Sequence, residues 1–241
     1  MGKIAAFFDI DGTIYRESLM IRHFEKLMNY EVIPRKIWFT EVEDLYTEWK
    51  KRYGDYEEYL ELLAHVYLEH LKGIDKDFVN YIADHTISDS GEYIFKYSRD
   101  QLLWHREMGH LIFFVSGSPD FLVSRMANMY KATDWRGTEY KVDEENKITG
   151  EIVPMWGSDS KNHAIAELVK LYDVDVENSY AYGDTTGDFS MLSLMGNPIA
   201  INPNEALLEL IKTDKRLSDR ASIIIERKNV IYKVKSDVET L

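Results

Sequence analysis

The chain has 241 residues, enough for one sizeable core or for a core domain carrying a smaller insert. Hydrophobic residues make up 45% and charged residues 29%, a globular balance, and the net charge of −13 argues against nucleic acid as a substrate while leaving room for a pocket that binds a small anion. With no cysteine, disulfides, thiolate metal sites and thiol nucleophiles are excluded, which fits a reducing compartment.

In chain order, the first apolar run, Ile4–Phe8, is too short to span a membrane and meets an acid at once. It predicts no signal peptide, no membrane partner and a cytoplasmic protein. The stretch Ile4–Ile10 reads as a buried strand of a parallel sheet and ends in Asp9-Ile10-Asp11-Gly12-Thr13. Residues i and i+2 of a strand share a face, so Asp9 and Asp11 sit together near its end. One acid can attack phosphorus; the other can protonate a leaving oxygen and then activate water. Gly12 permits the turn out of the strand, and Thr13 can hydrogen-bond the loop. The plainer alternative is an acidic pair that caps a helix. The full string after an apolar strand favours chemistry.

The next strand, Leu111–Ser116, begins about one hundred residues later, whereas connections usually run about 4–6 residues. The intervening chain therefore carries structure of its own. From Arg16 to about His85 it is rich in helix formers and aromatics, and Tyr56, Tyr59, Leu60, Leu63 and Tyr67 recur with the period of an amphipathic helix. Residues 16–88 are read as a helical cap, with residues 1–15 and 89–241 as the core. The cap aromatics are read as packing. Ser90–Met108 predicts a helix leading back into the sheet.

The second strand closes in Ser116-Gly117-Ser118-Pro119. A hydroxyl and a close-approaching Gly117 N–H at a helix start make a phosphate seat. Ser118 before Pro119 reads as an N-cap followed by the first helical residue. A hairpin is expected over Thr138–Val153, around Glu145-Asn146-Lys147. Lys161 opens a helical stretch running to about Tyr172, where its charge opposes the macrodipole unless an anion lies nearby. Ser179–Tyr182 reads as a strand closed by Gly183-Asp184-Thr185-Thr186-Gly187-Asp188. Magnesium needs only one or two carboxylates besides phosphate, and Asp184 is placed to be a ligand. Asp188 is read as a supporting group or a helix cap. Further strands are predicted at Pro198–Ile201 and Ala221–Ile225. Strands separated by helices give the fold class: α/β, a doubly wound parallel sheet of Rossmann-like type with an inserted helical cap. The seven histidines show no tight metal-ligand spacing.

Taken in order, Asp9–Thr13, Ser116, Lys161, and Asp184 with Asp188 resemble the four motifs of the haloacid dehalogenase superfamily, and the spacing is similar to its subfamily IB, the phosphoserine-phosphatase-like branch. The resemblance implies that Asp9 is the nucleophile and Asp11 the general acid/base. It also implies that Ser116, Gly117 and Lys161 bind phosphate, and that magnesium is held by Asp9, the Asp11 backbone carbonyl and Asp184, with Thr13 and Asp188 in support. Phosphoserine phosphatases place a cap glutamate against the substrate amine; here that position is Ser18, with Glu17 beside it, so both are candidates for specificity. The expected activity is magnesium-dependent hydrolysis of a small phosphorylated metabolite through an aspartyl phosphate. The alternatives are a phosphoserine phosphatase or phosphotransferase, and a receiver-like regulatory domain that is merely phosphorylated. A dehalogenase is disfavoured, because carbon–halogen displacement does not need Asp11.

Overall fold

The computed structural model describes residues 2–239. The chain opens with β1 (Ala5–Phe8), followed by α1 (Leu19–Asn29), a π-helical turn at Trp38–Val42 that runs into α2 (Glu43–Lys50), then α3 (Tyr56–Leu71), α4 (Lys76–Ser90) and α5 (Lys96–Glu107). It continues through β2 (Leu111–Pro119), α6 (Asp120–Tyr130), β3 (Asp134–Val142), β4 (Ile148–Val153), α7 (Ser158–Tyr172) and β5 (Tyr180–Gly183). A 3₁₀ turn at Thr186–Asp188 leads to α8 (Phe189–Leu194), β6 (Asn197–Ile201), α9 (Glu205–Thr213), α10 (Lys215–Arg220), β7 (Ser222–Arg227) and β8 (Val230–Val234).

The strands form one sheet in the order β4-β3-β2-β1-β5-β6-β7-β8. Pairing is parallel from β3 to β7 and antiparallel at both edges. Side-chain alternation along β1 divides the core. Ala5 and Phe7 pack with α7, α8 and α9 on one face, whereas Ala6 and Phe8 face the side that holds α1, α3, α4 and α6. The connection after β1 goes to β2 on one side, and that after β5 goes to β6 on the other. This divergence opens a crevice at the carboxyl ends of β1 and β5, the usual ligand position in such sheets.

Four local expectations need correction. The first strand stops at Phe8, because the Ile10 carbonyl accepts the N–H groups of Thr13, Ile14 and Tyr15 and folds the chain into a turn. The helix expected from Ser90 begins only at Lys96. The segment before it is extended: Arg16 N–H donates to the Tyr93 carbonyl at 3.0 Å and Phe95 N–H to the Ile14 carbonyl at 2.9 Å. Glu226, far along the chain, caps that helix by accepting the N–H groups of Lys96 and Tyr97 at 3.0 and 2.9 Å. Strand β8 has no counterpart among the expected elements; its tight turn is allowed by Lys228 at φ 54°. Finally, α6 starts at Asp120, so Ser118 still belongs to β2 and is not its N-cap. The hairpin is formed by β3 and β4, with Asn146 at φ 61° in its turn.

Candidate active site

The ends of β1, β2 and β5 and the first turn of α7 converge in the crevice. Asp9 leaves β1 with its N–H donated to the Tyr182 carbonyl at 3.0 Å, and the residue is 5% exposed. Lys161, itself buried, reaches in from α7 and donates to Asp9 Oδ1 at 2.8 Å and to Asp188 Oδ1 at 2.6 Å. Burial works against the charge of Lys161, but Asp188 and Asp9 outweigh it and hold the ammonium above its ordinary value. It is therefore no solvated surface lysine.

Asp188 is fully buried and caps the turn after β5. Its Oδ2 accepts the N–H groups of Asp184 and Thr185 at 3.1 and 3.2 Å, completing a capping box with Thr185. Both Asp188 oxygens are thus committed. Asp184 lies beside it and accepts the Thr13 hydroxyl at 2.9 Å. Gly12 makes that approach possible: its φ is +80°, and a Cβ there would lie 2.0 Å from Asp184 Oδ2.

Asp11 diverges from this group. Its Oδ1 accepts the Leu19 N–H at 2.7 Å, so it caps α1, and its Oδ2 accepts the Ser118 hydroxyl at 2.5 Å. The hydroxyl of Ser118 therefore serves Asp11 rather than a helix end. Ser116 is buried, and its Oγ accepts the Ser118 N–H at 3.2 Å. The Gly117 carbonyl is fixed by the Thr138 hydroxyl at 2.7 Å, and a Cβ on Gly117 would meet Trp156 Cβ at 3.0 Å.

Electrostatics reflect the crowding. Burial is the main reason Asp9 is pushed up to about 8; Lys161 pulls it down, while Asp188 and Asp11 add to the rise. Burial likewise raises Asp11, against the hydrogen bonds from Ser118 and Leu19. Asp184 is held well above the carboxylate range by burial, then by Asp9 and Asp188. Oxygens of Asp9, Asp184 and Asp188 lie within 4.8 Å of one another. A donor set of carboxylate oxygens, with like charges already straining against ionisation, fits a hard divalent cation.

The two specificity candidates separate. Ser18 is 4% exposed and makes no side-chain bond to the helix it precedes. Glu17 is exposed and ion-paired to Arg22 Nη2 at 2.5 Å; Arg22 Nη1 also reaches Glu25 at 3.0 Å. The sequence reading took Ser118 for a helix cap rather than a partner of Asp11, and it missed Trp156 against Gly117. Trp156 stands in the connection between β4 and α7, with no local pattern to mark it.

An open parallel sheet with this carboxylate and lysine set at its switch point defines a phosphatase-type hydrolase. The chain belongs to the haloacid dehalogenase-like hydrolases, whose family model matches residues 6–193. It is 26% identical over 214 residues to a protein of Mycobacterium tuberculosis named "Probable phosphatase", covering 85% of this chain and 71% of that one. Among solved structures it resembles a protein of unknown function from Bordetella pertussis Tohama I, with TM-score 0.71 and 18% identity over 88% of this chain and 96% of the other. It also resembles a phospho-aspartyl intermediate analogue of phosphoserine phosphatase, with TM-score 0.60 and 18% identity over 95% of each chain. Among the described residues, no helix is long and apolar enough to cross a membrane.

Proposed function

We propose that the protein is a magnesium-dependent phosphomonoester hydrolase for a small phosphorylated metabolite, working in the cytoplasm through an aspartyl phosphate on Asp9. The observation that carries this reading is the buried Asp9–Lys161–Asp188 chain, flanked by Asp184 on one side and Asp11 on the other. Asp9, the Asp11 carbonyl and Asp184 would hold the metal; Asp188, with both oxygens engaged, anchors Lys161 and the β5 loop instead. Bound there, magnesium supplies positive charge that favours ionised carboxylates and offsets the phosphate dianion.

In the first step an oxygen of Asp9 bonds to phosphorus and the bond to the leaving oxygen breaks. Asp11, which burial biases toward its protonated form, gives its proton to that oxygen. In the second step Asp11 takes a proton from water as the water oxygen bonds to phosphorus, and the Asp9–phosphorus bond breaks to release phosphate. Lys161, the Ser116 hydroxyl and the Gly117 N–H orient the phosphoryl oxygens. In this reading residues 16–88 act as a cap over the leaving group, with residues 1–15 and 89–241 as the core.

The test uses p-nitrophenyl phosphate with magnesium. Wild type turns over many equivalents, whereas a receiver-like domain would release at most one. Asp9→Asn abolishes both turnover and trapped phosphoenzyme. Acid-stable label mapped to any residue other than Asp9 would overturn the assignment.

A further inference from the structure

The end of β2 departs from regular pairing where the sequence reads Ser116-Gly117-Ser118-Pro119. Val115 pairs with Arg136 and Pro119 with Thr138, so four steps along β2 match only two along β3 and the residues between them bulge. A bulge re-aims the side chains it carries. This one is pinned from both sides. The Thr138 hydroxyl accepts the Met155 N–H at 3.1 Å and donates to the Gly117 carbonyl at 2.7 Å. Ser118 gives its N–H to Ser116 Oγ at 3.2 Å, and the proline after it favours an extended backbone at Ser118.

The fixed backbone sends the Ser118 hydroxyl to Asp11. The residue is 4% exposed, and its Oγ donates to Asp11 Oδ2 at 2.5 Å. The other oxygen, Oδ1, accepts the Leu19 N–H at 2.7 Å. Each carboxyl oxygen of Asp11 is therefore held by a donor from a different element, one on α1 and one on β2. A carboxyl group held at one oxygen still turns about its side-chain bonds; held at both, it is fixed. The Leu19 donor is a backbone group that any residue supplies. The Ser118 donor is the half of this clamp that depends on residue type.

Orientation matters for the step assigned to Asp11. When phosphorus bonds to Asp9, its bond to the leaving oxygen breaks, and the proton of Asp11 passes to that oxygen. The products are a neutral alcohol and a carboxylate at Asp11. Ser118 keeps its own proton throughout and hydrogen-bonds the new carboxylate. An alkyl leaving group needs the proton at the moment of cleavage, so it depends on where the acid points. A nitrophenyl leaving group spreads its charge over the ring and depends on the acid far less.

We propose that Ser118 is a positioning residue for leaving-group protonation: from the bulge in β2 its hydroxyl holds Oδ2 of Asp11 while the start of α1 holds Oδ1, and this two-point clamp aims the acid at the leaving oxygen. The proposal rests on the hydrolase reading above, in which Asp11 is the acid, and adds the residue through which β2 serves that step.

The experiment measures kcat/KM with magnesium on propyl phosphate and on p-nitrophenyl phosphate, for wild type, Ser118→Ala, Asp11→Asn and the double variant. This constant reports formation of the phosphoenzyme, before the water step in which Asp11 acts again. Ser118→Ala lowers the propyl ester roughly 10- to 100-fold, the scale of a misplaced catalytic group, and the nitrophenyl ester much less. The ratio of the two esters therefore falls. Because both are read on one sample, a smaller folded fraction lowers them together and leaves the ratio unchanged. Asp11→Asn lowers the ratio further, within the roughly 10²–10⁴-fold of a general acid. Adding Ser118→Ala to Asp11→Asn then changes nothing more, because Ser118 acts through Asp11. An equal effect of Ser118→Ala on the two esters overturns the proposal, and so does a further fall of the ratio in the Asp11→Asn background. If Asp11→Asn keeps the wild-type ratio, or if wild type hydrolyses neither ester, the hydrolase reading itself fails and the proposal with it.

Discussion

At the scale of single residues, the most demanding position is one without a side chain. Gly12 combines a left-handed backbone with a space already filled by Asp184 Oδ2. In Gly12→Ala the methyl group and that carboxylate cannot both keep their places, and a displacement of about 1 Å in such a site costs on the order of 10²-fold in rate. The expected result is a folded protein with turnover lowered by that order and a raised magnesium requirement, read from a magnesium titration alongside circular dichroism. An unchanged titration would remove Asp184 from the metal site. The site's ingredients were legible wherever residue type and a strand end coincide, as at Asp9, Asp11, Ser116 and Asp184. Lys161 was legible because a cation in a first helical turn needs an explanation. What stayed hidden depends on distance along the chain. Ser118 meets Asp11 across 107 residues, and no local rule shows that its hydroxyl turns to a carboxylate rather than to a helix end.

At the scale of elements, the parallel strands β1, β2, β5, β6 and β7 were legible as short apolar runs, whereas β3 carries no such run and its parallel pairing with β2 was not foreseen. Helix periodicity marked α3 in the same way. Boundaries failed where another element sets them. Helix α5 begins where Glu226 of β7 caps it, and the residues before it are drawn out by pairing with Ile14–Arg16. The helices after β1 are joined by a histidine that sequence reasoning left unassigned. His23 of α1 lies fully buried, with Nδ1 2.6 Å from the Tyr67 hydroxyl of α3 and Nε2 3.3 Å from the Val79 carbonyl of α4. Burial above all lowers it to about 3, against 6.5 for a free histidine. Between those values the unfolded chain binds a proton that the folded chain refuses, so this group's stabilisation is complete above pH 6.5 and is lost as pH falls toward 3. In His23→Phe the Tyr67 hydroxyl loses its partner, at a cost of about 1–3 kcal/mol near pH 7. The variant also lacks the proton linkage. Its disadvantage should therefore shrink by roughly 1.5–2 kcal/mol between about pH 6.5 and pH 5, because each pH unit crossed in that window removes about 1.4 kcal/mol from the wild type. Urea unfolding of both proteins at the two pH values measures this. A constant gap would mean that His23 is protonated in the fold.

At the scale of the whole molecule, the helices after β1 are not a loosely tethered flap. Leu63, Tyr67, Val79 and Ile82 share one apolar cluster with Phe114, Phe121, Leu122 and Ile148 of the sheet side. The β3–β4 hairpin exchanges backbone hydrogen bonds with the α3–α4 turn: Gly73 N–H to the Ile148 carbonyl at 2.7 Å, and Ile148 N–H to the Ile74 carbonyl at 2.9 Å. Arg125 of α6 clasps Asp84 of α4 at 2.6 Å. Asp11 joins the same system by capping α1 while its neighbours form the carboxylate cluster. Burial continuous across both parts implies one cooperative transition, not two. Five tryptophans make this measurable, with Trp49 on α2 and Trp104 on α5 against the sheet. Variants that retain a single tryptophan, either Trp49 or Trp104, should unfold at the same midpoint. Magnesium sharpens the test, because its expected ligands all lie at strand ends. A ligand at about 100 times its dissociation constant stabilises a fold by about 2.7 kcal/mol, or about 5–10 °C for a chain of this size. If the helices after β1 and the sheet unfold as one, the Trp49 signal moves up as far as the Trp104 signal, although none of the expected ligands lies on α2. A shift confined to Trp104, or a Trp49 transition at lower temperature in either condition, would show that the helices after β1 melt separately and that the shared apolar cluster does not couple them to the sheet.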